Sequence, residues 1–288
     1  MSEIDMKLTD FTEHWEKDVD FSIRNVKHLY SEKTPFQQID FYESDTFGRF
    51  FTLDGYLMLT EKDEFHYHEM ITSVPMAVNP DIKNVLVVGG GDGGTARELS
   101  RYKSIERIDV VEIDERVVRL CEIYIPQTSS VFSEDSRVHL FFCDGVRYLK
   151  NLPEKSYDLI IIDSTDPIGP GEGLFTKDFY LDCRKALSED GILINQHESP
   201  YFDKDRIQMQ KAHKKLTECF PVAKVYMFHQ AVYASGLWLF GFASKKYDPI
   251  KDHKPETWTR FGIKTRYYNN ALHKACFVLP TYVEKLLE

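Results

Sequence analysis

A chain of 288 residues, 42% hydrophobic and 28% charged, holds enough apolar material for one large or two modest folded domains, which excludes a disordered or fibrous polymer. Its 46 acidic residues outnumber 36 basic ones, and a net charge of -10 disfavours nucleic acid as a partner and suits cationic small molecules. The five cysteines (121, 143, 183, 219 and 276) contain no CxxC pair and leave one over in any disulfide scheme, so neither a zinc ribbon nor a stapled secreted fold fits and a cytoplasmic protein is expected.

The opening MSEIDMKLTDFTEHW has acids where a signal peptide needs a basic start, and no later stretch reaches transmembrane length, so no membrane partner is expected. Residues 1–62 read as a small antiparallel β domain. Within it, FGRFFTLDGYLMLT sets Asp54-Gly55 between two strand-like runs, a hairpin signature. Residues 63–288 change rhythm: a helix over FHYHEMITSVPMAV, then the apolar run Val85-Leu86-Val87-Val88 as a buried parallel strand. Helix-compatible TARELSRY, ERVVRLCEIY and TKDFYLDCRKAL alternate with strand-like IDVVEID, VHLFFCD, YDLIIID and ILINQH, with Gly191 as a helix stop. A further helix runs to about Leu216, and VAKVYMF and LWLFGFAS form a closing hairpin. Such alternation predicts a doubly wound, Rossmann-like α/β sheet.

Gly89, Gly91 and Gly94 satisfy GxGxxG between a strand and a helix, which points to a nucleotide-like ligand at the strand's carboxyl end. Asp92 inside this loop would repel a pyrophosphate and attract a sulfonium or ammonium; the competing reading is a helix-capping acid. Glu112, about 20 residues on, stands where such folds place an acid on ribose hydroxyls, and Asp114 is the better candidate to cap the helix that follows. Asp144-Gly145 could read an adenine edge or form a plain turn. Asp163 and Asp166 in DSTDP stand three apart at the end of a central strand, facing the ligand crevice, and an Asx turn before Pro167 would account for only one of them.

The segments FQQIDFYES, LDGYLMLTEKDEFHYHEM, VLVVGGGDGGTARE, DSTDPIGPGEGLF, GILINQHESPYF, YASGLWLFGFASK and RYYNNALHKACFVLP, in this order, make the chain resemble the spermidine synthase family of polyamine aminopropyltransferases from about Trp15 to Leu287. The resemblance implies a Rossmann-like, AdoMet-dependent transferase fold with an N-terminal β domain, working as a homodimer or homotetramer. It further implies that Gln37, Glu112, Asp144, Gly145 and Pro170 line the nucleoside site, with Glu112 on the ribose, and that Asp92 holds the aminopropyl ammonium. Tyr67, His68, Asp166, Gln196 and Tyr233 would line the acceptor-amine channel, with Asp163 as base. Cys143 departs from the glycine that many relatives carry before the Asp-Gly pair.

The activity so implied joins the aminopropyl group of decarboxylated S-adenosylmethionine to putrescine, giving spermidine and 5'-methylthioadenosine, with no metal or other cofactor. Agmatine, cadaverine and spermidine are alternative acceptors. A small-molecule methyltransferase and a polyamine- or nucleoside-binding protein remain as other classes, and an NAD oxidoreductase is disfavoured by Asp92.

Overall fold

The computed structural model describes residues 8–165 and 169–288, with the backbone alone at 169 and 170. Five strands follow one another in space as in sequence: β1 (Leu8–Glu16), β2 (Val19–Lys33), β3 (Gln38–Ser44), β4 (Gly48–Leu53) and β5 (Tyr56–Thr60) form one antiparallel sheet. Asp54 and Gly55 join β4 to β5 with φ of 51° and 85°, the left-handed pair that a two-residue hairpin needs.

α1 (Glu64–Val78) then runs almost wholly buried, which explains why apolar residues occur all round it rather than along one stripe. The alternating unit follows: β6 (Asn84–Gly89), α2 (Gly94–Ser100), β7 (Arg107–Glu112), α3 (Glu115–Tyr124), the single turns α4 (Pro126–Ser129) and α5 (Val131–Glu134), β8 (Val138–Phe142), α6 (Gly145–Lys150) and β9 (Tyr157–Asp163). A 3-10 segment at Gly169–Phe175 leads to α7 (Lys177–Ala186), β10 (Leu187–Gln196), α8 (Asp203–Cys219), β11 (Val222–His229) and β12 (Leu237–Ser244). Three short helices close the chain: α9 (Pro255–Arg260), α10 (Asn270–Ala275) and α11 (Thr281–Leu287).

The second sheet has the order β11-β12-β10-β9-β6-β7-β8, parallel from β8 to β10 and finished by the antiparallel hairpin. Val85, Val87, Leu159 and Ile161 pack on one face and Leu86, Val88, Ile160 and Ile162 on the other, so both faces are covered and the strands read as continuous apolar runs. Strand order reverses between β6 and β9, and a crevice opens there beyond their carboxyl ends.

One sequence expectation needs correction. Gly191 stops no helix: α7 ends at Ala186 and the chain passes directly into β10, where Gly191 lies. Pairing with β9 slips there, five residues from Leu187 to Ile192 spanning two from Tyr157 to Leu159, and glycine suits such a bulge.

Candidate active site

Gly89 at the end of β6 pairs in register with Asp163 at the end of β9. Gly89 has φ of 85°, and a Cβ there would collide with the Asp163 carbonyl, while Gly90 N–H donates to that carbonyl at 2.8 Å. The glycine loop is thus laid directly against the acid. Tyr67 Oη donates to Asp163 Oδ1 at 2.8 Å and Thr95 Oγ1 to Oδ2 at 2.6 Å, fixing the carboxylate from α1 and α2. Burial and the nearby Asp92 charge raise the Asp163 pKa, opposed by His68 and the two hydroxyl donors.

Asp92 Oδ1 accepts from Gly94 N–H at 2.7 Å and lies 3.3 Å from His68 Nε2. Asp92 thus ties down the start of α2 and also lines the cleft beside His68. His68 Nδ1 meets Glu64 Oε2 at 2.6 Å, one helical turn away. Burial works against the imidazolium, yet Asp92 and Glu64 together lift its pKa to about 10. Glu64 is itself lowered to about 2: burial would raise it, but His68 and the forked Arg97 contacts at 3.0 and 2.8 Å prevail. Gly94 has a spatial reason to lack a side chain, because a Cβ there would run into the His68 ring.

At the other end of the cleft the acids serve the backbone. Asp144 caps α6 by accepting from Val146 N–H at 2.8 Å, and Asp114 caps α3 by accepting from Arg116 N–H at 3.0 Å, as expected. Asp114 Oδ2 also accepts from Thr34 Oγ1 at 2.7 Å and Gln37 Nε2 at 3.2 Å, which carries Gln37 to the cleft from the first sheet. Glu112 accepts from Asp114 N–H at 2.9 Å, and burial raises its pKa to about 7 despite that bond. Burial here lacks the nearby cation that Asp92 and Glu64 enjoy.

One cleft gathers Gln37, Asp92, Glu112, Asp144, Gly145, Tyr67, His68, Asp163, Gln196 and Tyr233. Asp166 lies outside the described residues, as does the side chain of Pro170. Trp15 also reaches the cleft, edge-on to Trp238 with ring centroids 6.0 Å apart. Thr95 and Glu64 escaped the sequence reading. Thr95 directly follows the glycine loop, and Glu64 stands four residues before His68 on one helix, a spacing that puts them on one face.

Donor atoms of His68, Asp92 and Asp163 lie within 4.8 Å of one another, close enough to enclose a cation. Both His68 nitrogens already face carboxylates, however, and a ring donating from each has no lone pair for a metal.

Residues 64–254 match the model of the spermine/spermidine synthase domain, and residues 11–61 that of the spermidine synthase tetramerisation domain. A polyamine aminopropyltransferase of Clostridium acetobutylicum is 61% identical over 278 residues, covering 96% of this chain and 97% of the relative. That of Clostridium beijerinckii is 60% identical, with the same coverage. The chain belongs to the spermine/spermidine synthase family.

As an aminopropyltransferase of this family, it superposes on a crystal structure of spermidine synthase in complex with the transition state analogue AdoDATO at a TM-score of 0.94, with 39% identity, 99% of this chain covered and 98% of the other. Spermidine synthase from Thermotoga maritima gives 0.92 at 38% identity, covering 99% and 97%. The tetramerisation-domain match falls on β1–β5 and supports a homo-oligomer. No helix among the described residues is long and apolar enough to cross a membrane.

Proposed function

We propose that this aminopropyltransferase moves the aminopropyl group of decarboxylated S-adenosylmethionine to putrescine, giving spermidine and 5'-methylthioadenosine. The observation that carries the reading is the buried Asp163 carboxylate, held by Tyr67 and Thr95 beside Asp92 in the cleft that also contains Glu112. A relative of the same fold bound to AdoDATO supports the donor.

In this reading the acceptor nitrogen attacks the propyl carbon, the carbon–sulfur bond breaks with its electrons going to sulfur, and the ammonium proton passes to Asp163. Sulfonium activation makes the carbon electrophilic, so the protein's task is to position the reactants and free the amine's lone pair. An alkyl ammonium near pKa ~10.4 and an ordinary aspartate near ~3.9 differ by about 6.5 units, roughly 9 kcal/mol in water. Burial of Asp163 and the Asp92 charge narrow that gap from the acid's side. The donor's own positive charge narrows it from the amine's side.

Glu112 would accept the ribose hydroxyls, with Gln37, Asp144, Gly145 and Pro170 around the nucleoside. Asp92 would take the donor's ammonium, while Tyr67, His68, Asp166, Gln196 and Tyr233 flank the acceptor. Residues 1–62 would serve assembly as a homodimer or homotetramer and 63–288 catalysis, in the cytoplasm, with no cofactor beyond the co-substrate. Incubation of the enzyme with decarboxylated S-adenosylmethionine and a panel of putrescine, agmatine, cadaverine and spermidine, with products identified by mass, tests the reading. Spermidine and methylthioadenosine as the dominant products are expected. Preference for another amine, or transfer of a methyl group, would overturn it.

A further inference from the structure

Carboxylate oxygens of Asp92 and Asp163 lie within 4.8 Å of each other, and like charges that close in a cleft each disfavour the other's ionisation unless a cation stands beside them. A base that is already protonated cannot accept the acceptor's proton. The cation at hand is the His68 ring, with Nε2 3.3 Å from Asp92 and Nδ1 2.6 Å from Glu64. A neutral imidazole has a single N–H and cannot donate to both acids, whereas an imidazolium can. Glu64 is in turn gripped by Arg97 of α2 at 3.0 and 2.8 Å and approached by Arg266, from the segment before α10, at 3.4 Å.

We propose that Arg97, Glu64 and His68 form a positioning relay that keeps Asp92 and Asp163 ionised together before the cationic substrates arrive, with Glu64 as its central residue. Glu64 acts only through His68. The relay rests on the reading of Asp163 as proton acceptor. The charged and titratable groups around it come from six parts of the chain. Asp63 and Tyr67 flank it on the α1 side, and Glu98 of α2 shares Arg97 at 3.0 Å. Asp92 comes from the glycine loop, Asp163 from β9, Glu112 from β7 beyond Asp92, and Arg266 from the C-terminal segment. Among the groups nearest the ring, the acids Glu64 and Asp92 outnumber any cation, so the positive charge of His68 is held by its surroundings. The glycine at position 94 belongs to the same device, since it clears the space the ring occupies.

The experiment follows the ring and the rate separately. Nitrogen NMR of histidine-labelled enzyme at pH 8 is expected to show His68 as imidazolium in the wild type and neutral in Glu64→Gln. The acid limb of kcat/KM for the donor, at saturating amine, is expected to move upward by about one pH unit in Glu64→Gln, a loss of roughly tenfold on that limb that recovers at alkaline pH. Glu64→Asp should restore part of the shift. A neutral ring in the wild type, or an equal loss of activity at every pH, overturns the relay. Should Glu64→Gln fail to fold, His68→Gln keeps a donor toward Asp92 without the charge and must show the same limb shift; an unmoved limb is again fatal. Asp163→Asn separates the two ideas: full turnover in that variant removes the base itself, whatever the ring's charge, while lost turnover with an unmoved limb in Glu64→Gln removes the relay alone.

Discussion

The two ends of the cleft are built by different rules. At the end proposed for the nucleoside, Glu112 closes β7 while Asp144 and Gly145 follow shortly after β8, and the acids bond backbone N–H groups within two or three residues. At the end proposed for the amine, Asp163 is held by Tyr67 and Thr95, 96 and 68 residues away in the chain, and Asp92 adds to its local bond from Gly94 N–H a contact with a ring from α1. Where the partners are neighbours, Glu112 takes the charge state that burial imposes. When parts are distant in sequence, charge can be placed against charge, and the acids take the state that their partners impose.

The largest effect expected from this contrast is on turnover. Asp163→Asn should lower it by ~10²-fold or more while leaving methylthioadenosine affinity nearly intact, as read by single-turnover kinetics and calorimetry. Equal losses would show that the two ends are one structural unit.

The nucleoside end should answer to pH instead. Glu112 is raised to about 7, chiefly by burial, and in its proposed role only the ionised form would accept both ribose hydroxyls. Binding then requires loss of a proton below that value, so methylthioadenosine affinity should fall about tenfold from pH 8 to pH 6. Calorimetry in buffers of differing ionisation enthalpy should register the released proton, and Glu112→Gln should flatten the curve. The same shift acts on folding. Because the folded-state pKa is raised, the neutral acid favours the native state below about pH 4.5, and that advantage is lost as pH rises through 7.

A smaller effect concerns rejection of ordinary S-adenosylmethionine, which carries one more carboxylate. Two like charges ~4 Å apart at an effective dielectric of about 20 repel by roughly 4 kcal/mol, which for a bare Asp92 would mean several hundredfold discrimination. The His68 contact at 3.3 Å offsets much of that charge. Asp92→Asn is therefore expected to narrow the ratio of the two dissociation constants by about three- to tenfold, and an unchanged ratio would leave Asp92 only its bond to Gly94. Smallest of all, Asp144→Ala should cost ~1 kcal/mol of stability through the lost α6 cap, with Asp144→Asn holding it, in a thermal melt.

This contrast also explains what could be read before any coordinates. The strand-to-loop punctuation that places Gly89, Glu112 and Asp144 is local, and the alternation of apolar runs with helices marked the second sheet for the same reason. Asp163 was legible because a strand end at a switch point is a local signal with a global meaning. Thr95, Glu64 and Arg97 were not, since a threonine, a glutamate and an arginine on helices are ordinary until the tertiary fold sets one against Asp163 and the others around His68. Gly191 misled because the same residue ends helices and relieves bulged strands.

The buried junction of Thr34, Gln37 and Asp114 bears on how such a protein can be rebuilt. Around it, Val117, Leu120 and Cys121 of α3 share a core with Ile39, Phe41 and Phe51 of the first sheet, and Arg49 donates to the Tyr124 carbonyl at 3.1 Å. The helix that follows β7 thereby packs its apolar face against the other sheet. Transplanting β1–β5 from a relative would exchange half of that core and both side-chain donors to Asp114 at once, so domain shuffling in this architecture has to keep Thr34 and Gln37 or move α3 along with the sheet.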